Sequence, residues 1–309
     1  MKALITGGAG FIGSHLAAAL AADGHAVTVF DNLSTGKREN LAGLPISFIE
    51  GDLTDRGGLA AALAGCDVVF HEAALVSVPR SLAEPEQNHR DNVTGTFQLF
   101  EAARRAGVRR VVYASSAAVY GDEPALPLEE AATVAPVSPY GAAKFIAEVY
   151  AGAYARAYPD APTFAGLRYM NVFGPRQDPS SPYSGVLSIF CRAALAGDVC
   201  HIYGDGEQTR DFVYVSDIVH ANLLAAASTL PSRNAVYNIG RGEEISLNRI
   251  VALLGELTGR AIPVVHDPER AGDIRRSVAN IDLARRGLGY APRVSIRDGL
   301  RETLAWFGQ

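Results

Sequence analysis

The segment SPYGAAK, residues 138–144, places a phenol, Tyr140, four positions ahead of an ammonium, Lys144. A helical turn takes roughly 3.6 residues, so side chains at i and i+4 share one face. A free tyrosine titrates near about 10 and is a poor base at neutral pH. A cation about 4 Å away, at an effective dielectric near 20, contributes roughly 4 kcal/mol. At roughly 1.4 kcal/mol per unit, that lowers a phenol by about 3 units, close to neutrality. Such a pair makes a proton-transfer catalyst. The same two residues also fall at this spacing as surface decoration, so the elements around them have to decide.

The chain has 309 residues, enough for a large core and two lobes. Its 48% hydrophobic and 20% charged residues are an ordinary globular balance. A net charge of −5 gives no reason to expect nucleic acid or an anionic membrane as a partner. MKALITGGAGFIG has glycines where a secretory leader needs an unbroken apolar run, and no stretch approaches a membrane span. Cys66, Cys191 and Cys200 are odd in number and far apart, which argues against a disulfide framework and for a reduced, cytoplasmic protein with buried thiols. The seven histidines show no metal-ligand spacing, so no metal is expected.

In the first half, short apolar runs alternate with helical patterns. KALIT (2–6), AVTVF (26–30), PISFIE (45–50), DVVFH (67–71) and RRVVYAS (109–115) read as buried strands. GSHLAAALAADG, RGGLAAALAG and NVTGTFQLFEAARRAG lie between them, each ending in a helix-capping glycine. This alternation predicts an α/β, Rossmann-like, doubly wound parallel sheet. TFAGLRYMNVFG (163–174) reads as a further strand. From about residue 175 the rhythm changes, beginning with the Pro- and Ser-rich PRQDPSSPYSG. The expected division is a dinucleotide-binding domain over 1–167, with 208–238 returning to it, and a smaller C-terminal α/β substrate lobe over 168–207 and 239–309. One continuous α/β domain with a helical appendage is the alternative.

LITGGAGFIGSHL carries Gly7, Gly10 and Gly13 just after the first strand and at the start of the first helix. Glycines there allow a tight turn and let the backbone approach a pyrophosphate, which the helix N-terminus attracts. Asp31 closes the second strand, where an acid bonds the adenosine ribose and repels a 2′-phosphate. NAD is therefore expected over NADP, with Lys37 and Arg38 as the competing signal. Asp52, after the third strand, suits either the adenine amino group or a plain helix N-cap.

Gly7-x-x-Gly10-x-x-Gly13, Asp31, Asp52-Leu53, HEAA (71–74), NVTGT (92–96), SSAAVYGD (115–122), SPYGAAK and RYMNVFGPRQ (168–177) occur in one order. That series resembles the extended short-chain dehydrogenase/reductase family, and within it the nucleotide-sugar 4-epimerases, over residues 1 to roughly 280. The resemblance implies that Tyr140 takes the proton from a sugar 4-hydroxyl while the C4 hydride passes to tightly bound NAD. Lys144 would hold the nicotinamide ribose and lower the phenol, and Ser116 would bond the reacting hydroxyl. It places Phe11, Ile12, Asn32, Leu53, Ala73, Ala74, Asn92 and Tyr169 along the cofactor, with Ser115 lying against it. It also implies a homodimer through the helices at 92–107 and 140–157.

The dehydratase branch of that family carries an Asp-Glu pair after its active-site threonine; here Ser116 precedes Ala117 and Ala118, so elimination is disfavoured and epimerisation remains. By resemblance Arg210 and Arg270 hold the diphosphate, Asp273 takes a ribose hydroxyl, Asn171 contacts the diphosphate or sugar, and Tyr203 lies beside the base. Relatives restricted to UDP-glucose and UDP-galactose tend to have a tyrosine where this chain has Ser277, and a small residue there leaves room for a 2-acetamido group. The expected reaction is interconversion of UDP-GlcNAc and UDP-GalNAc. Val76, where the strictest members have glycine, argues for some activity on unacetylated sugars. A UDP-glucose 4-epimerase, a 4,6-dehydratase and a non-enzymatic NAD-binding regulator are the alternatives.

Overall fold

The computed structural model describes residues 1–179, 185–269 and 274–309. Its centre is a seven-stranded sheet built from β1 (Lys2–Thr6), β2 (Ala26–Asp31), β3 (Ser47–Glu50), β4 (Val68–His71), β5 (Arg110–Ser116), β6 (Thr163–Tyr169) and a last strand, Asn234–Ile239. Every pairing in it is parallel, and from one edge the sheet runs from Asn234–Ile239 through β6, β5, β4, β1 and β2 to β3. The order reverses between β1 and β4. A crevice at the carboxyl ends of the strands opens at such a switch point, and ligands bind there.

The strands form because both faces are covered, so their central side chains are mostly apolar and the polar ones gather towards the ends. Alternation then sorts them. Ala3 and Ile5 pack on one side with Leu16, Ala17 and Leu20 of α1 (Phe11–Ala22). Leu4 packs on the other side with Leu59 of α2 (Arg56–Ala62), Phe100 and Tyr154. Next come the short α3 (Val78–Ala83) and α4 (Pro85–Asn88), a π-helical turn at His89–Thr94, and α5 (Gly95–Arg105). The glycines expected to stop three helices, Gly24, Gly65 and Gly107, have φ of 74°, 70° and 71°.

After β5 the chain enters α6 (Pro139–Ala157). TFAGLRYMNVFG is two strands rather than one. It pairs with the main sheet through β6, and then β7 (Asn171–Phe173) pairs with Phe212–Tyr214 in a separate small sheet. At the junction the Met170 N–H donates to Ile239 while the Asn171 N–H donates to Asp211, so consecutive amides belong to different sheets. A third apolar cluster forms around Phe173, Leu187, Phe190, Ile202, Phe212, Ile250 and Leu300. Among the described residues no helix is long and apolar enough to cross a membrane.

Candidate active site

Ser138 caps α6 by accepting the Gly141 N–H at 3.1 Å, with Pro139 in the first turn, where its missing N–H costs nothing. The Tyr140 N–H donates to the Ser81 hydroxyl at 3.2 Å, and the Asn88 amide donates to the Pro139 carbonyl at 3.1 Å. A Cβ on Gly141 would stand 2.4 Å from the Ala118 carbonyl oxygen. The helix start is thus pressed onto the turn that follows Ser116, the last residue of β5. One turn on, the Lys144 ammonium donates to the Ala114 carbonyl at 2.8 Å and lies 5.9 Å from the centre of the Tyr140 ring. Tyr140 is 9% exposed and Lys144 7%.

The electrostatics depart from the sequence expectation. Burial lifts the Tyr140 phenol above its ordinary value; a hydrogen bond with Ser116 pulls it down, and the Glu72 charge lifts it again. Burial lowers Lys144 to about 8, against the opposing pull of Glu72. In the protein by itself the net direction for the phenol is upward, with desolvation its largest cause. Glu72 itself is pushed up to about 7 by burial, although the Tyr169 hydroxyl donates to it at 2.8 Å and Lys144 lies within its field. In the sequence Glu72 stands out only as part of HEAA; an acid directly after a fully buried strand at the switch point is the signal that marks it. His71 bridges the hydroxyls of Thr6 at 2.8 Å and Thr96 at 2.9 Å, and burial holds it neutral, down to about 3.

The glycine turn is shaped for a dinucleotide. Gly7 has φ of 70°, and a Cβ on it would lie 2.6 Å from the Ala73 nitrogen. A Cβ on Gly13 would lie 2.3 Å from the Gly7 oxygen. Gly10 precedes α1 with no capping side chain, so the first N–H groups, at Phe11, Ile12 and Gly13, are left for an anion. Asp31 accepts from the Ala9 N–H at 2.9 Å and the Leu33 N–H at 2.8 Å, which ties the turn to the end of β2; its remaining lone pairs can take ribose hydroxyls.

Asp52 is no helix cap, because Asp55 caps α2 by accepting from Gly57. Asp52 accepts instead from Thr54 and, at 2.9 Å, from Asn32. Partial burial works against its charge, but those bonds and Arg90 hold its carboxyl below the usual range. Leu53 packs against Gly95, and Ala74 is half-buried beyond β4. The two cations that could have favoured a 2′-phosphate are engaged elsewhere: Lys37 pairs with Asp178 at 3.6 Å, and Arg38 lies 4.5 Å over the Phe48 ring.

Two side chains expected along the cofactor have their polar groups engaged inside the protein. The Ser115 hydroxyl is buried and donates to the Glu148 carboxylate at 2.5 Å. The Asn92 amide likewise spends its bonds inside the protein, on both backbone groups of Leu75 and on the Asn88 side chain. Asn92 thereby holds the segment after β4 in place; it belongs to the π turn, a device common beside functional sites.

On the substrate side, the Asn171 amide donates to the Asp211 carbonyl at 3.3 Å, and the Asp211 N–H donates to the Ser277 carbonyl. Ser277 is also the register partner of Arg210, so Asn171, Arg210 and Ser277 form one backbone-linked group two residues beyond Tyr169. Tyr203 lies at the end of Cys200–Tyr203, half-exposed. Arg270 and Asp273 lie outside the described residues. Among the described residues no group of three or more His, Cys, Asp or Glu side chains is arranged to hold a metal ion.

A glycine turn at the switch point, an acid closing β2, and a buried Tyr–Lys pair with a serine beside it define a dinucleotide-dependent enzyme of the extended short-chain dehydrogenase/reductase type. The chain belongs to the NAD dependent epimerase/dehydratase family, whose model matches residues 3–240. NAD is accordingly its cofactor, and the glycine cradle fits it. A UDP-glucose 4-epimerase from Mycolicibacterium smegmatis is 42% identical over 316 residues, covering 99% of this chain and 98% of that protein. Among solved structures, a UDP-N-acetylglucosamine 4-epimerase from Methanobrevibacter ruminantium, in complex with UDP-N-acetylmuramic acid, is 41% identical with a TM-score of 0.94, covering 99% of this chain and 97% of that one. A Thermus thermophilus UDP-glucose 4-epimerase complexed with NAD is 37% identical with a TM-score of 0.90, covering 99% of each chain.

Proposed function

We propose that the protein is an NAD-dependent UDP-sugar 4-epimerase whose preferred pair is UDP-GlcNAc and UDP-GalNAc. The observation that carries the reaction is the buried pair Tyr140 and Lys144, with the half-buried Ser116 bonded to the phenol, beside a glycine turn built for a dinucleotide. Bound NAD supplies a hydride acceptor that is restored within each turnover. In its ionised form, a charge that burial disfavours and the Lys144 cation supports, Tyr140 receives the proton of the sugar 4-hydroxyl and returns it after the 4-keto sugar has presented its other face. Ser116 bonds the same oxygen, and Lys144 keeps a positive charge in the pocket. Ala117 and Ala118 offer no group for eliminating water. The cofactor is retained between turnovers, because a chain that regenerates it has no need to exchange it.

On this reading residues 1–167 with 208–238 hold the dinucleotide, and 168–207 with 239–309 hold the nucleotide sugar. The small Ser277 favours the acetylated substrates. The 42% identity to a protein named UDP-glucose 4-epimerase, together with Val76, favours a second reading in which unacetylated sugars are the main substrates. NMR of the purified protein with UDP-GlcNAc and no added NAD tests both: the galacto isomer should form, and Tyr140→Phe should slow it by about 10²–10⁴-fold. No turnover of UDP-GlcNAc alongside turnover of UDP-glucose would select the second reading. We also infer a homodimer, because Val149 and Tyr150 of α6 are exposed and Tyr150 packs 5.5 Å from Phe97 of α5. Light scattering should give twice the chain mass, and Val149→Glu should return the chain to a monomer.

A further inference from the structure

Between the glycine turn and the catalytic pair lies an acid that the reaction above leaves without a task. Glu72 follows the last residue of β4 and precedes Ala73, against which Gly7 is pressed. Its carboxylate accepts from the Tyr169 hydroxyl at 2.8 Å. That hydroxyl in turn accepts from the Asn222 amide of the helix Val215–Ala227 at 2.7 Å. Asn222, Tyr169 and Glu72 therefore form one chain of hydrogen bonds, anchored on a helix behind the sheet and ending at the site.

The ionisable groups around this acid come from three elements. Lys144 and Tyr140 of α6 lie within its electrostatic reach, and Tyr169 of β6, the register partner of Ser116, is hydrogen-bonded to it. Its neighbour His71 is neutral and turned towards Thr6 and Thr96. Lys144 is the cation in its field, and Tyr140 is the phenol that its charge opposes.

We propose that Glu72 is a positioning residue for the proton transfer assigned above to Tyr140: it fixes the Tyr169 ring, and its charge sets how readily Tyr140 gives up its proton. An ionised Glu72 holds Lys144 protonated and opposes a second negative charge on Tyr140. A protonated Glu72 removes that opposition and still accepts from Tyr169 through its carbonyl oxygen. The two acids are thus coupled, and the proton that leaves one is retained more firmly by the other. The proposal rests on the epimerase reading for its consequence in turnover, and on this chain's own geometry for the coupling.

Glu72→Gln separates the two tasks, because the amide keeps the acceptor for Tyr169 and loses the charge. In NAD-loaded protein labelled at the tyrosine Cζ carbons, Tyr140 is the resonance that disappears in Tyr140→Phe. Its titration midpoint should fall by about one pH unit in Glu72→Gln, a tenfold change in ionisation constant. The acid limb of the kcat profile should move to lower pH by a similar amount, with KM for the sugar nearly unchanged. A Tyr140 midpoint identical in the two proteins would overturn the proposal, as would superimposable pH profiles. Full activity in Tyr140→Phe would instead overturn the epimerase mechanism and leave the measured coupling standing.

Discussion

Glu148 of α6 and Arg168 of β6 form a two-pronged ion pair, 2.9 and 2.7 Å long, in the core behind the catalytic helix. The side chains are only 5% and 6% exposed. Ser115 donates to the same carboxylate, while the guanidinium also donates to Tyr120, whose hydroxyl donates to Asn238. The network ties α6, which presents Tyr140 and Lys144, to β5, β6 and the edge strand.

A buried pair contributes little against an apolar replacement, but breaking it strands a charge away from water. Glu148→Ala leaves Arg168 uncompensated and the Ser115 hydroxyl without its acceptor. We expect a loss of about 3–5 kcal/mol in urea unfolding. A change below about 1 kcal/mol would show that water reaches the guanidinium. Leu or Met at both positions should recover most of the loss.

The glycine turn gives a second prediction with an internal control. Gly7 and Gly24 share almost the same left-handed backbone, φ 70° and 74°, but a Cβ on Gly24 meets nothing within 4 Å whereas one on Gly7 meets the Ala73 backbone at 2.6 Å. Alanine at Gly24 pays only for the backbone, about 1–2 kcal/mol. Alanine at Gly7 must also push the end of β1 away from Ala73 and deform the phosphate cradle. NAD released by acid from purified Gly7→Ala should drop severalfold, while Gly24→Ala retains the wild-type amount at a lower melting temperature.

Much of this architecture was legible in the sequence, and the parts that were not share one physical cause. Apolar runs and glycine stops mark the strands of the Rossmann sheet because each is covered on both faces. The i, i+4 spacing of Tyr140 and Lys144 survives because a helix fixes it locally. Partners set by tertiary packing carry no such mark. Ser115 and Ser116 are adjacent and chemically identical, yet strand alternation turns the first to Glu148 while the second reaches Tyr140. Asn92 reads as a cofactor neighbour, and nothing in its sequence shows that its amide is spent on Leu75. The break at Met170 has no turn residue to announce it, because the chain stays extended and only the neighbour of its amides changes. The rise in Tyr140 has the same origin, since desolvation depends on what lies around the ring.

Acid stability should report the two buried groups at the end of β4. His71 is held down to about 3, well below an ordinary imidazole near about 6.5, so the unfolded chain binds its proton first. Its contribution is complete above about 6.5 and is lost as pH falls towards about 3. Glu72 runs the other way. It is raised to about 7, so its contribution is full below an ordinary carboxyl near about 4.3 and is lost as pH rises through about 7. The two slopes oppose each other between about 4.3 and 6.5, and below that window only His71 remains of the pair. Denaturant midpoints should therefore fall more steeply with acid below about pH 4.3. His71→Asn should flatten that lower segment, and an unchanged slope would show that the imidazole is protonated in the folded protein.

On the proposed reading Ser277, which is 8% exposed and paired in register with Arg210, is the residue that sets substrate choice. The Ser277 carbonyl accepts from the Asp211 N–H, and the Asp211 carbonyl accepts from the Asn171 amide, so the strand cannot swing away without loosening the group that follows Tyr169. A tyrosine ring at 277 must take its volume from the space in front of that group. On the proposed reading an acetamido substituent takes that space, and a hydroxyl needs far less of it. Ser277→Tyr should lower kcat/KM for UDP-GlcNAc by about 10–200-fold, the range a poorly fitted pocket can impose. UDP-glucose turnover should change by a small factor only. Equal losses on both sugars would mean that the ring disturbs Arg210 and the diphosphate rather than the sugar, and that acetyl selection is made elsewhere in the pocket.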